Sequence, residues 1–199
     1  MGAKFIVRSG QWVAMLDADT LSSERRAFFV ATRGGVYLPA AGVVFWGVLG
    51  GLGFVWSERT WCGVVLCAAA VATPVAIVLF RKLVARLALK SPVATLILPA
   101  LLPVALSLGM AAAGFRSDPS LVPLVLVIGL ASHWPAVGWM FGTKIYAIHS
   151  VVRVTVAVAI WFLWPEARFI WLPLSIAVVY AVTAIWVLRR MRPSQEAPE

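Results

Sequence analysis

Along this chain a mixed opening stretch gives way to long, almost uninterrupted apolar runs, and that change in pattern predicts its build. In residues 1 to 35, Phe5, Ile6, Trp12, Val13, Leu16 and Leu21 are interrupted by Lys4, Arg8, Asp17 and Asp19. Ser22-Ser23-Glu24-Arg25-Arg26-Ala27-Phe28-Phe29-Val30 then reads as a short helix with a serine cap. Two readings of this segment stand side by side: an amphipathic helix lying on the cytoplasmic face of a membrane, and a partly ordered tail.

From Val36 onward six apolar runs follow: Val36 to Trp56, Trp61 to Phe80, Val93 to Phe115, Leu121 to Phe141, Ile145 to Trp164 and Phe169 to Leu188. Each holds about 20 residues, enough to cross a hydrocarbon core of roughly 30 Å. The expected fold class is all-α: a polytopic membrane protein, a six-transmembrane-helix bundle with an N-terminal interfacial amphipathic helix. Its expected parts are a cytoplasmic or interfacial segment over 1–35, the bundle over 36–190 and a cytoplasmic tail over 191–199. The charges at Asp17, Asp19, Glu24, Arg25 and Arg26 would not be tolerated in a secretory signal, so the first span is read as a retained anchor.

Connections are short. Gly34-Gly35 leads into the first span, with Pro39 in its opening turn, and Phe141-Gly142-Thr143-Lys144 joins the fourth span to the fifth. Pro74, Pro99, Pro103 and Pro135 fall within spans, where each removes a backbone donor and frees the carbonyl four residues earlier. Gly47 and Gly51 form a G-x-x-x-G, and Ala68 with Ala72 offers a similar small face; both read first as helix packing within the bundle. A homo-oligomer seam through Gly47 and Gly51 is the other reading of that motif.

Basic residues orient the bundle. Lys4, Arg8, Arg25, Arg26, Arg33, Arg81, Lys82, Arg86, Lys90, Lys144, Arg189, Arg190 and Arg192 fall on one side, and only Arg59, Arg116 and Arg168 on the other. The positive-inside rule then places both termini in the cytoplasm. Trp56, Trp61, Trp161, Trp164 and Trp171 fall at outer ends, with Trp139 and Trp186 towards inner ones, as interfacial indoles do.

Composition agrees with the pattern: 62% of the 199 residues are apolar and 13% charged, with a mean hydropathy of +0.93. The net charge of +9 sits in the connections, so it signals topology and contact with anionic lipids rather than nucleic-acid binding. Cys62 and Cys67 share one predicted helix, turned roughly 140° apart, and read as small apolar fillers.

The chemistry gathers in the fourth and fifth spans. Tyr146, His149 and Arg153 are spaced i, i+3, i+7 on one stripe, flanked by Ser150 and Thr155. Counted from the turn, His133 and Arg153 each lie about 12 Å deep in regular helices, which makes them level, with His149 one turn nearer the cytoplasm. Every acid (Asp17, Asp19, Glu24, Glu58, Asp118, Glu166, Glu196, Glu199) lies outside the spans, so Arg153 has no carboxylate within the bundle. Its candidate partners are carbonyls freed near Pro135, Ala131 above all, a hydroxyl such as Tyr180, an N-terminal acid folding in, or an anion.

The candidate ligand-binding residues are therefore His133, Tyr146, His149, Arg153 and Tyr180, with Pro135 as the helix break. The leading functional reading is a cationic inner-leaflet pocket for an anionic lipid headgroup or a small anionic solute, with transport as a variant. A structural or partner-scaffolding protein, in which Arg153 only caps carbonyls, is the alternative. A remoter one makes His133 and His149 axial ligands of a b-type haem. No carboxylate pair, H-E-x-x-H, G-x-S-x-G or phosphate-cradling glycine loop marks an enzyme, and the leading reading calls for no cofactor.

His133-Trp134-Pro135-Ala136-Val137-Gly138-Trp139-Met140-Phe141, followed by Lys144-Ile145-Tyr146, resembles a family of small bacterial integral membrane proteins, domain-of-unknown-function family 7010. Arg33-Gly34 leading to Trp46 is similar to that family's entry to its first span. The resemblance covers the chain from about residue 25 and implies a multi-span bacterial inner-membrane protein. It implies no activity and assigns no site residue.

Overall fold

The computed structural model describes residues 18–86, 93 and 96–191, and among these every regular element is helical. In order they are α1 (Ala18–Ala31), a 3-10 turn (Arg33–Gly35), α2 (Tyr37–Leu52), α3 (Glu58–Arg86), α4 (Ile97–Ala100) and α5 (Leu102–Ser117). Then come α6 (Leu121–Ala131), α7 (Trp134–Met140), α8 (Ile145–Leu163), a 3-10 turn (Pro165–Ala167) and α9 (Trp171–Met191). The readings placed on residues 1–17 and 192–199 lie outside the described residues.

Proline divides two of the expected spans. The third is α4 and α5, parted at Leu101 with Pro103 in the first turn of α5, and the fourth is α6 and α7, parted at Ser132 and His133. Pro103 and Pro135 have no N–H to return to the preceding turn, so the ladder opens there. Pro74 lies inside α3 without dividing it. Among the described residues four stretches are long and apolar enough to cross a membrane: Arg33–Leu52, Leu121–Met140, Ile145–Leu163 and Trp171–Met191.

The expected serine cap is not formed. α1 runs through both serines, and the Ser23 hydroxyl donates back to the Thr20 carbonyl at 2.8 Å, the alternative open to a hydroxyl inside a helix. α1 turns one stripe inward, with Leu21, Arg25, Phe28, Phe29 and Thr32 on it. Phe28 is only 1% exposed and stacks on Phe141 at 5.5 Å. This helix is docked on the bundle.

Three successive left-handed residues, Arg33, Gly34 and Gly35, swing the chain from α1 into α2. Glycine is needed twice over, because a Cβ on Gly34 would strike Phe29 at 2.7 Å and one on Gly35 would strike Phe141 at 2.7 Å. α2 then packs along α9. Gly42 meets the Tyr180 ring, Gly50 meets Leu174, and Trp46 between them is fully buried. The reading of the G-x-x-x-G as packing within the bundle is thereby corrected: Gly47 and Gly51 meet nothing within 4 Å. Glycines at 42 and 50, eight residues apart, bring the two helices together; those at 47 and 51 are rotated outward.

What faces outward is apolar: Val44 and Val48 on α2, Leu106 and Met110 on α5, Val151 and Val152 on α8, and Val178, Val182 and Ile185 on α9. What faces inward on α8 is Tyr146, His149, Ser150, Arg153, Ala157 and Ile160. At one end of the bundle Arg168 donates to the Trp161 carbonyl and Ser120 hydroxyl, and the Trp61 indole donates to the Leu49 carbonyl. At the other end α1, the turn after α7 and the close of α9 come together around Arg25, Arg26 and Arg190. Cys62 and Cys67 are both free thiols.

Candidate functional site

The turn between α7 and α8 sets the register of the site. Thr143 N–H bonds the Gly138 carbonyl and Gly142 N–H the Trp139 carbonyl, with Gly142 left-handed, so α7 closes in a Schellman motif. The chain therefore doubles back before α8 begins, and Tyr146 already lies against Gly138. This corrects the expected levels. Arg153 stands opposite Leu130, one turn further from the charged end than His133, and His149 meets Trp134 at 4.9 Å.

The helix break supplies acceptors. With no N–H on Pro135, the Ala131 carbonyl is released from the ladder. Ser150, not Arg153, takes it, at 2.8 Å. Arg153 Nη1 donates instead to the neighbouring Leu130 carbonyl, at 3.1 Å, and to the Tyr180 hydroxyl. The guanidinium carbon lies 5.2 Å from the Trp46 ring and 5.1 Å from that of Tyr180. The residue is 0% exposed. Arg153 thus joins α2, α6, α8 and α9.

His149 Nδ1 is hydrogen-bonded to Thr183 Oγ1 at 2.8 Å. Thr183 has one hydroxyl proton and gives it to the Val179 carbonyl, so Nδ1–H is the donor to Thr183. In neutral imidazole that leaves Nε2 a lone pair. Tyr180 is the hub of the cluster, 4.5 Å from the His149 ring and 5.7 Å from Trp134.

Of the residues predicted from sequence, Arg153, His149 and Tyr180 meet directly. His133 reaches them through Trp134, whose ring lies 5.1 Å away. Tyr146 shares the stripe but gives its hydroxyl to the Gly34 carbonyl, tying α8 to the hinge before α2. Tyr146→Phe is expected to lower stability by about 1–3 kcal/mol, the cost of stranding a buried carbonyl, measured as the unfolding midpoint in detergent. Sequence reasoning missed Trp46, Trp134 and Thr183. Thr183 was discoverable, three residues after Tyr180 on the same face of α9; Trp46 carries no local signal of its role.

Buried polar atoms without a hydrogen-bond partner among the described residues concentrate here. They are Arg153 Nε and Nη2, His149 Nε2, His133 Nδ1 and Trp134 Nε1; the other is Arg25 Nε, at the charged end. Such atoms are rare in protein interiors and cost most where water is excluded. The haem reading gains no geometry, since the Trp134 ring packs against both imidazoles where a porphyrin would have to lie.

A chain whose described elements are all helical, with apolar outward faces, stretches long enough to span a bilayer and polar groups turned inward, has the build of a membrane protein. The chain belongs to DUF7010, a family of unknown function whose model matches residues 21–190. No curated protein and no solved structure matches it.

Proposed function

We propose that this protein is a six-span inner-membrane protein, both ends cytoplasmic, whose buried Arg153 cluster binds a small anionic solute. The carrying observation is that Arg153 is fully enclosed with Nε and Nη2 unpartnered and no carboxylate beside it among the described residues. A guanidinium edge with two free donors is a fork for a carboxylate-like or inorganic anion. Of the two ligand sources the sequence leaves open, enclosure by Trp46 and Tyr180 favours the small solute over a headgroup that drags acyl chains. Transport is the variant in which that solute passes on through the bundle.

Six spans rest on the apolar runs in α3 and in α4 with α5, added to the four long stretches. The inward stripe of α1, with charged Glu24 and Arg26 beside it, suits a helix lying at the interface, and the Gly34-Gly35 hinge suits a boundary near residue 35. The gathering of Arg25, Arg26 and Arg190 at one end supports the cytoplasmic assignment of that end.

The test is thermal unfolding of the purified protein in uncharged detergent, in chloride, nitrate or gluconate at equal ionic strength. Chloride or nitrate is expected to raise the wild-type midpoint by about 2–4 °C for each kcal/mol of binding, and to leave Arg153→Met unmoved. Equal responses in both proteins would remove the small-anion reading. The scaffold reading would then stand, favoured by the same side chain's contacts to three other helices.

A further inference from the structure

At the charged end, away from the Arg153 cluster, α1, the α7–α8 turn and the last turn of α9 enclose a cleft of about 450 Å³. Arg25 and Arg26 reach it from α1, the fold brings Arg190 to them from α9, and no acidic residue lines it among the described residues. We infer that this cleft binds the phosphate of an anionic lipid headgroup drawn from the surrounding leaflet.

Three features separate it from an ordinary solvated basic surface. First, two of the guanidiniums are braced: Arg25 lies over Trp139 at 4.9 Å and Arg190 over Trp186 at 4.5 Å. Stacking on an indole fixes the plane of the fork and leaves its in-plane N–H groups for a ligand. Second, Arg25 Nε is buried without a partner, and the Arg25 guanidinium lies beside left-handed Gly142, 3.8 Å from where a Cβ would sit. Ser22 and Thr143 line the same cleft. Oriented donors from several elements converging on one opening suit a tetrahedral oxyanion.

Third, part of the lining is apolar. Phe29 and Phe141 line the cleft along with its arginines, and Phe141 is itself packed on Phe28 and Tyr146. Free phosphate would use the arginines and leave these rings idle, whereas the glycerol and first methylenes of a lipid would cover them. The position is right for this, at the end of the bundle where the basic residues collect and anionic headgroups concentrate. The inference does not depend on what Arg153 binds.

The experiment uses the full chain in maltoside detergent, with dioctanoyl phosphatidylglycerol, dioctanoyl phosphatidylcholine or sodium phosphate added separately. Thermal unfolding and native mass spectrometry read binding. Wild type is expected to gain several degrees, and to retain bound lipid, with phosphatidylglycerol but not phosphatidylcholine. Combining Arg25→Gln with Arg190→Gln is expected to weaken that binding at least about tenfold, Arg25→Lys with Arg190→Lys to fall between, and Arg153→Met to bind as wild type. If Arg25→Gln shifts the melting curve before lipid is added, Arg26→Gln, at an exposed position, carries the same comparison. A response to phosphatidylcholine equal to that to phosphatidylglycerol, or a glutamine variant that binds as tightly as wild type, overturns the inference. An equal response to sodium phosphate overturns the lipid source and assigns the cleft to free phosphate.

Discussion

Arg153→Ala is expected to lower stability by about 2–5 kcal/mol, the range for emptying a large buried side chain. The residue is 0% exposed, so its removal leaves a cavity at the junction of α2, α6, α8 and α9. The Leu130 carbonyl and Tyr180 hydroxyl also lose their donor where water cannot replace it, adding about 1–3 kcal/mol for a stranded group. Arg153→Met separates packing from charge. It keeps most of the volume but strands the same carbonyl, so it isolates the polar loss from the packing loss. The expected order in gluconate buffer is Met below wild type by the cost of the stranded group, about 1–3 kcal/mol, and Ala further below by the cost of the cavity, read by denaturant or thermal midpoint in one detergent. Equal losses in the two variants would show that the charge itself, not the filled space, holds the helices together.

Gly42→Ala is expected to lower stability by about 1–3 kcal/mol, as overpacking does. The added Cβ would fall on the Tyr180 ring. Tyr180 can yield only by moving the hydroxyl that accepts from Arg153 and the ring that packs on His149. A substitution on α2, with no polar atom of its own, should therefore also abolish the chloride response. Gly47→Ala is the control on the same helix. Nothing lies within 4 Å of its added carbon, so the midpoint should hold or rise, by up to about 1 kcal/mol, through better helix propensity. A Gly42→Ala protein with wild-type stability and anion response would place Tyr180 outside any critical contact.

The expected span limits lie close to the observed helix ends because they depend on chain-local quantities. A run such as Ile145 to Trp164 is apolar along its whole length, and α8 occupies Ile145–Leu163. The inward stripe of that helix was equally legible, since Tyr146, His149 and Arg153 recur at helical spacing and all three are buried. Pro135 announced its break for the same reason: a missing N–H is a property of the residue.

Errors arose where two segments had to be placed against each other. Level matching of His133 with Arg153 assumed a symmetric turn, but the Schellman closure at Gly142 returns the chain early and slides α8 by about a turn. The carbonyl freed by Pro135 was identified, yet Ser150 claims it. Of the glycines on α2, the motif spacing pointed to Gly47 and Gly51, while the partner helix chose Gly42 and Gly50.

By itself the sequence determined an all-helical chain, the places where its helices start, break and turn, and a buried arginine with no acid in any span to meet it. Those follow from hydropathy, backbone chemistry and composition, each readable within a few residues. Only the tertiary structure decided that Tyr180, Trp46 and the Leu130 carbonyl surround that arginine, and that Arg25 and Arg190, far apart in the chain, share one cleft. Such neighbours are set by how helices rotate and slide on one another, which no single helix encodes.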